Sequence, residues 1–314
     1  MDLVSTPSNP VPEGAVVGEI TAPNGTAIRY ARWLPPPGRK GTVCLFQGRA
    51  EFIEKYFEVV TELRRRGFAV ATLDWRGQGL SQRRLAERRK GHVGSFKEFD
   101  ADLETFMRDV VLPDCPPPYY ALAHSMGGAI VLRAAGRGRR WFERIVLSAP
   151  MIALHGRPMA PAVRMLIRAM RFAGLGRSYV PGGGATSVTS LPFEGNELTS
   201  DPVRYARTGK IVEAEPALAL GSPTIAWLDS AYTAMAEFAD PSYPRRLDQP
   251  ILMIAAGQDT VVSTPAIEQF AIRMRAGAHV VVAGARHELM MEQDFYRGQF
   301  WAAFDAFVPG SAAP

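Results

Sequence analysis

Ser125 lies in the run Ala-His-Ser-Met-Gly-Gly at residues 123–128, between a strand-like stretch at 119–123 and a helical pattern at 126–135. A serine on such a sharp strand-to-helix turn is held with its hydroxyl above the sheet, and small neighbours let the two backbones approach. The pattern is Gly-x-Ser-x-Gly, except that Ala123 replaces the first glycine and keeps that position small. We therefore predict that Ser125 is a nucleophile, the alternative being a serine that only caps the helix.

A serine hydroxyl needs a general base, and the base needs a carboxylate that orients its ring. Of the five histidines, His287 follows the last strand-like stretch, where folds with a serine elbow place the base. His124 adjoins the serine, but the turn is expected to aim consecutive side chains apart. Asp259, after the strand-like stretch at 251–255, is predicted as the orienting acid. The alternatives are a histidine in a surface loop and an aspartate that only forms a turn.

Acyl transfer also needs N–H donors for the oxyanion that develops on the substrate. One predicted donor is the backbone N–H of Met126, at the start of the helix, where the helix dipole assists. The other is the backbone N–H of Arg49, in the run Gln-Gly-Arg-Ala-Glu at 47–51 that follows a strand-like stretch at 42–46. The Arg49 side chain either approaches an anionic head group or is solvated.

The elements that must position these residues alternate between strand-like and helical patterns from residue 16 onward, which favours a mostly parallel sheet with helices on both faces. The first two strand-like stretches, 16–20 and 27–33, flank Pro-Asn-Gly and predict a hairpin. Ser95 with Glu98 three residues later predicts a helix that begins with a capping box.

The alternation stops between residues 150 and 250, a segment far longer than an ordinary loop and rich in glycine and proline. We therefore predict an α/β core at residues 1–150 and 246–314, with an inserted helical cap at 151–245. Within the cap, a helical pattern begins at Pro161 and stops at Gly174, with one apolar and one basic face. These faces are Val163, Leu166, Ile167 and Met170, and Arg164, Arg168 and Arg171. The apolar face is expected to cover the core, or the helix is a lid that meets a membrane or micelle and lines an acyl-chain tunnel, and both can hold at once.

The composition is that of an ordinary globular protein, with 47% hydrophobic and 21% charged residues among 314. No apolar run is long enough for a membrane-spanning helix, and no secretory signal is visible. Cys44 and Cys115 are predicted to be free thiols in a reducing cytoplasm. The net charge of +5 indicates a solvated basic surface or attraction to anionic lipid. Because no nucleic-acid-binding pattern accompanies this charge, no nucleic-acid partner is expected.

Several motifs occur together in a specific order along the chain. They are residues 47–51, Asp-Trp-Arg-Gly-Gln-Gly-Leu-Ser at 74–81, Gly-His-Val-Gly-Ser-Phe at 91–96, the serine elbow, Gly-Gln-Asp at 257–259 and Gly-Ala-Arg-His-Glu at 284–288. In this combination the sequence resembles the monoacylglycerol lipase and lysophospholipase L2 branch of the α/β-hydrolases. Ala123, and Gln47 where the family often has histidine, resemble the bacterial lysophospholipase members more than the animal lipases.

The resemblance implies an α/β-hydrolase fold with a mostly parallel eight-stranded sheet. It also implies a serine hydrolase that cleaves a carboxylic ester of a lipid with one acyl chain, a lysophospholipid or a monoacylglycerol, through an acyl-enzyme on Ser125. No cofactor and no metal are expected. The expected location is the cytoplasm, either free or peripheral at the inner membrane face through the cap. The rival hypotheses are a short-chain carboxylesterase, an acyltransferase on the same residues, and a non-catalytic lipid-binding protein.

Overall fold

The computed structural model describes residues 2–35, 40–156, 161–187, 189 and 191–311. Within these residues, eight strands form one sheet in the order β1-β2-β4-β3-β5-β6-β7-β8. The strands are β1 (Ala15–Thr21), β2 (Ala27–Trp33), β3 (Thr42–Phe46), β4 (Ala69–Leu73), β5 (Tyr119–His124), β6 (Arg144–Ser148), β7 (Ile251–Ala256) and β8 (Gly277–Val282). β2 pairs antiparallel with β1 and β4, and all other pairs are parallel. The predicted fold class is confirmed.

Helices connect the strands and cover both faces of the sheet. They are α1 (Phe57–Arg65), α2 (Phe96–Phe106), α3 (Leu112–Asp114), α4 (Ser125–Gly136), α5 (Pro161–Phe172), α6 (Pro202–Ala214), α7 (Ile225–Phe238), α8 (Thr264–Ala271) and α9 (Asp294–Phe307). Ser95 and Glu98 form the predicted capping box at the start of α2. The predicted hairpin of β1 and β2 is also present.

The hydrophobic core consists of two layers, one on each face of the sheet, because successive strand side chains point to opposite faces. In β3, Phe46 packs in the layer that contains α2, α4, α7 and α8. Leu45 packs in the layer that contains α1 and α9. β3, β4 and β7 are buried along their whole length, as expected for parallel strands that are covered on both faces.

A buried charge network holds the segment after β3 against the segment after β4. Arg29 donates from Nε to Asp74 Oδ2 and from Nη1 to Glu54 Oε1, each at 2.8 Å, and these ionic side chains are fully buried. Asp74 also accepts the backbone N–H groups of Ile53 and Leu80. Because removing one member would leave an uncompensated buried charge, the network holds both segments in one arrangement. The loop at 47–51 is thereby anchored on its C-terminal side.

The segment predicted as a cap carries α5, α6 and α7, and no strand lies in its described part, residues 151–156, 161–187, 189 and 191–245. α7 packs into the core of the sheet, since Trp227, Ala234 and Phe238 belong to the same hydrophobic cluster as Phe46. The boundary of the cap at 151–245 stays a prediction, and by its packing α7 belongs with the core.

The expected apolar face of α5 is largely exposed. Of its four predicted members only Ile167 is buried, because α5 packs along one edge against α7 and the turn that follows it. On the outward side, a second apolar stripe runs at helical spacing: Ala162, Met165, Leu166, Ala169 and Phe172. Met165 is 68%, Leu166 59% and Phe172 83% exposed. The hypothesis that this helix mainly covers the core is therefore wrong.

Candidate active site

Ser125 stands at the turn from β5 into α4 with a left-handed backbone, at φ 47°. A non-glycine residue in this region is strained, which is typical of a serine held above a sheet edge. The turn needs small neighbours, because a Cβ on Gly127 would lie 2.5 Å from the carbonyl oxygen of Gln47. The close approach of α4 to β3 thus explains the glycine two residues after the serine.

The structure brings together Ser125, His287 and Asp259, all of which are buried. His287 Nε2 lies 3.1 Å from Ser125 Oγ, and His287 Nδ1 lies 2.8 Å from Asp259 Oδ2. Because an ionised carboxylate only accepts hydrogen bonds, the ring proton is on Nδ1 and Nε2 is free to accept the serine proton. This is the arrangement in which an imidazole acts as a base toward a serine hydroxyl.

The Asp259 carboxylate is stabilised in its charged form. Burial alone would raise its pKa, but the hydrogen bond and charge interaction with His287, together with two backbone N–H groups, hold the pKa below its usual value. The two amides are those of Val261 and Val262, each 2.8 Å from Oδ1. One carboxylate oxygen is therefore held by its own loop, while the other is presented to the imidazole.

His124 contributes a ring to the site, although the turn was expected to aim it away. Its ring centroid lies 4.7 Å from that of His287, and its Nδ1–H donates to the carbonyl oxygen of Ser148 at 3.0 Å. Burial lowers the pKa of His124 to about 4. The ring is therefore neutral near pH 7 and adds no positive charge beside His287. His124 forms no hydrogen bond with Ser125 Oγ among the described residues, whereas His287 Nε2 does.

A buried ionic network that the sequence analysis missed lies beside these residues. Lys55 Nζ donates to Glu51 Oε1 at 2.8 Å and to Glu288 Oε1 at 2.6 Å, and Glu51 Oε2 accepts from Tyr56 Oη and from the Gly48 N–H. Burial would raise the pKa of Glu51, but the charge of Lys55, and below about pH 4 that of His124 as well, bring it to about 2. The i,i+4 spacing of Glu51 and Lys55 was the available signal.

The same network orders the backbone of the loop at 47–51. The N–H of Gly48 donates to Glu51, and the N–H of Ala50 donates to Gln78 Oε1 at 3.1 Å. The N–H of Arg49, between them, has no acceptor among the described residues. It is therefore available for a ligand, as is the N–H of Met126 in the first turn of α4.

A cavity of about 650 Å³ opens over Ser125 and His287, a volume in the range of small-molecule sites. Its wall is formed by residues after β3, β5, β6, β7 and β8 and by the segment between β6 and β7. Apolar members of this wall include Met151, Leu154, Leu191, Leu198, Trp227, Leu228, Val261 and Val262. A molecule with a long apolar part would thus lie against the serine.

Three further features bear on predictions from the sequence: metal sites, the two cysteines and membrane-spanning helices. In the described residues, no group of three or more His, Cys, Asp or Glu side chains is arranged to hold a metal ion. Cys44 and Cys115 are free, as predicted, and both are buried. No helix in the described part of the chain is long and apolar enough to span a membrane. The cytoplasmic location stays a prediction.

Comparison with known proteins places the chain among its relatives. Residues 37–294 match a hydrolase family described as serine aminopeptidase S33. The chain belongs to this family. It is 31% identical over 291 residues to lysophospholipase L2 of Escherichia coli strain K12, covering 89% of this chain and 83% of that protein. It is 25% identical over 256 residues to monoglyceride lipase of Saccharomyces cerevisiae, covering 79% of this chain and 77% of the lipase.

Solved structures of other hydrolases have the same fold. A soluble variant of the Saccharomyces cerevisiae monoglyceride lipase, bound to a substrate analogue, matches with a TM-score of 0.74 at 20% identity, covering 95% of this chain and 97% of that one. A thermostable carboxyl esterase from Bacillus coagulans matches with a TM-score of 0.75 at 18% identity, covering 95% and 100%. The resemblance noted in the sequence is confirmed, and this serine hydrolase has the α/β-hydrolase fold.

Proposed function

We propose that this hydrolase cleaves the carboxylic ester of a lipid with one long acyl chain, a lysophospholipid or a monoacylglycerol. The observation that carries the proposal is the hydrogen-bonded series Ser125, His287 and Asp259 on the floor of a largely apolar cavity. Relatives named lysophospholipase L2 and monoglyceride lipase support the substrate class.

In the proposed mechanism Ser125 Oγ attacks the carbonyl carbon of the ester while His287 Nε2 takes the serine proton. The imidazolium that forms is stabilised by Asp259, which stays ionised. His287 then gives the proton to the departing glycerol oxygen, and the acyl group remains on Ser125. A water molecule attacks the acyl-enzyme, His287 accepts a proton from it, and the fatty acid leaves as Ser125 regains its proton.

Two backbone N–H groups are proposed to bind the oxyanion of each tetrahedral intermediate, those of Met126 and Arg49. Both lack an acceptor among the described residues, and the groups on either side of Arg49 are already engaged. Each such donor is worth about 3 kcal/mol of transition-state stabilisation. The network of Glu51 supports this role indirectly, because it keeps the loop in one conformation.

Fatty-acid release from three lipids tests the proposal: lysophosphatidylcholine, lysophosphatidylglycerol and monoolein. We expect the purified protein to release oleate from at least one of them faster than it hydrolyses a p-nitrophenyl ester with a four-carbon acyl group. Turnover confined to the short ester would favour a short-chain carboxylesterase. Acyl transfer to an added alcohol in preference to water would favour an acyltransferase, and no turnover of any substrate would favour a non-catalytic lipid-binding protein.

We also propose that the outward stripe of α5 contacts a lipid surface. The exposed apolar residues Met165, Leu166 and Phe172 are flanked by Arg164 and Arg168, which are exposed and form no salt bridge in the described part of the chain. An exposed apolar stripe beside basic residues is typical of helices that lie in the interface of anionic membranes.

Vesicle cosedimentation tests this contact, using vesicles that contain anionic phospholipid. We expect Met165→Glu combined with Phe172→Glu to reduce the bound fraction by about tenfold, because two exposed apolar side chains are replaced by charges that the surface repels. Val203→Glu is the matched control, since Val203 is 73% exposed on α6, outside the stripe. Equal binding of the double variant and the wild type would contradict the proposal.

A further inference from the structure

The Arg49 side chain lines the same cavity as Ser125 and His287. Its Nη2 donates to the carbonyl oxygen of Gly221, and its guanidinium carbon lies 5.4 Å from the centroid of the Trp227 ring. Space for the guanidinium depends on Gly91, where a Cβ would come within 2.8 Å of Nη2. The carbonyl of Gly221 and the ring of Trp227 thus hold the side chain at one place on the cavity wall. The absence of a side chain at Gly91 leaves room for it there.

The charge of Arg49 is not balanced by a carboxylate. Arg49 is half-buried, whereas the fully buried arginines Arg29, Arg76 and Arg133 each form salt bridges with acidic side chains. Arg49 forms none with any described residue, and its buried Nε makes no hydrogen bond. Burial lowers the pKa of Arg49 to about 10, so the side chain stays protonated near pH 7. A partly buried cation without a carboxylate partner costs free energy that an arriving anion would offset.

Other charged groups on the cavity wall are engaged or exposed. Glu51 and Glu288 both form salt bridges with Lys55, so this ammonium group is already engaged. Glu194 and Glu197 are exposed to solvent. Arg49 is therefore the cation of this wall that remains for a ligand among the described residues.

We propose that Arg49 is a specificity-determining residue that binds the phosphodiester of a lysophospholipid while the ester lies at Ser125. The assignment rests on the proposed function. An arginine and a 1-acyl lysophospholipid match in length. The number of bonds from the backbone nitrogen of arginine to its guanidinium carbon equals the number from the ester carbonyl carbon of the lipid to its phosphorus. The N–H of Arg49 could thus serve the oxyanion while its side chain reaches the head group. Guanidinium groups suit this task because they donate several hydrogen bonds to phosphate oxygens.

The test compares substrates with the same oleoyl chain, presented in neutral detergent micelles. The measured quantity is kcat/KM for lysophosphatidylcholine and for lysophosphatidylglycerol, each divided by kcat/KM for monoolein. We expect Arg49→Met to lower both ratios by about tenfold or more, since a charge-assisted hydrogen bond to phosphate is lost. Dividing by the monoolein value removes any effect of the substitution on the oxyanion donor, which all three substrates share.

Two further variants separate the head-group contact from changes in folding or surface charge. Gly91→Ala leaves residue 49 unchanged but crowds its Nη2, and we expect it to lower both ratios in the same direction. Arg83→Met is the matched control: Arg83 is likewise a half-buried arginine, burial lowers its pKa to about 10, it donates to backbone carbonyls, and it does not line the cavity. Its ratios should equal those of the wild type.

The outcomes distinguish the inference from its alternatives. If both ratios change less than about twofold in Arg49→Met, the assignment is overturned. A fall in the lysophosphatidylglycerol ratio alone would also overturn it, because it would indicate general attraction to net negative charge. Inorganic phosphate and glycerophosphoglycerol are also compared as inhibitors of monoolein hydrolysis. Equally strong inhibition by the two would overturn the assignment and indicate a site for free phosphate. A wild type that hydrolyses none of the three lipids would refute the proposed function itself.

Discussion

Ser125→Ala is expected to lower kcat/KM for the best lipid ester by a factor of about 10⁵ to 10⁶, which is the loss seen when a serine nucleophile is removed from such a site. Without Oγ no acyl-enzyme forms, and the residual rate comes from substrate binding and the oxyanion donors alone. Because alanine removes only the hydroxyl of a residue with a strained backbone, the fold should be retained. The measurements are fatty-acid release and the midpoint of thermal unfolding, on the same preparation.

Ser148→Ala provides the matched control for this variant. Ser148 is a fully buried serine at the end of the neighbouring strand β6, and its Oγ has no hydrogen-bond partner. We expect Ser148→Ala to retain activity and to react with a fluorophosphonate probe, whereas Ser125→Ala should not be labelled. Labelling or turnover of Ser125→Ala at the wild-type level would reject Ser125 as the nucleophile.

Asp259→Asn is expected to lower kcat by a factor of about 10⁴ near pH 7, with a much smaller change in KM. The amide oxygen of asparagine can still accept from the N–H groups of Val261 and Val262, so the loop should keep its shape. The amide nitrogen then faces His287 Nδ1 and favours the tautomer that carries its proton on Nε2. In that tautomer His287 cannot accept the proton of Ser125.

Kinetics and thermal unfolding together test the role of Asp259. Asp240→Asn is a suitable control, because Asp240 also accepts a backbone N–H in a turn but lies outside the cavity. Its kinetic constants should match those of the wild type. If Asp259→Asn kept wild-type kcat, His287 would not depend on this carboxylate, and the proposed role of Asp259 would be wrong.

The elements around the site could be predicted because their signals are local. Short strand-like stretches that alternate with helical patterns predicted β3, β5 and β7, and the structure contains all three strands. The capping box at Ser95 needs only residues three apart, and it formed as expected. The spatial meeting of Ser125 and His287 was predicted through the chain order of strands, since the carboxyl ends of parallel strands share one edge of the sheet.

Other features of the site have no local signal. Lys55 pairs with Glu288, which is 233 positions away, so neither residue reveals the contact in its own neighbourhood. Arg49 lacks a carboxylate partner among the described residues because the fold places the acidic side chains elsewhere, and the sequence around Arg49 does not show this. The direction of α5 was also not predictable, because Ile167 and Phe172 are both apolar and only the packing against α7 decides which is buried.

The amino-acid sequence by itself therefore determined the kind and order of the elements, and with them the serine elbow and the positions of a histidine and an aspartate on later loops. Short-range periodicity, caps and turns carry that information. The tertiary structure alone decided which charges are paired inside the cavity, that the arginine of its wall has no carboxylate partner among the described residues, and which side of α5 faces solvent. The physical reason is that burial and electrostatic pairing depend on side chains from distant segments, and these become neighbours only when the sheet and its helices pack.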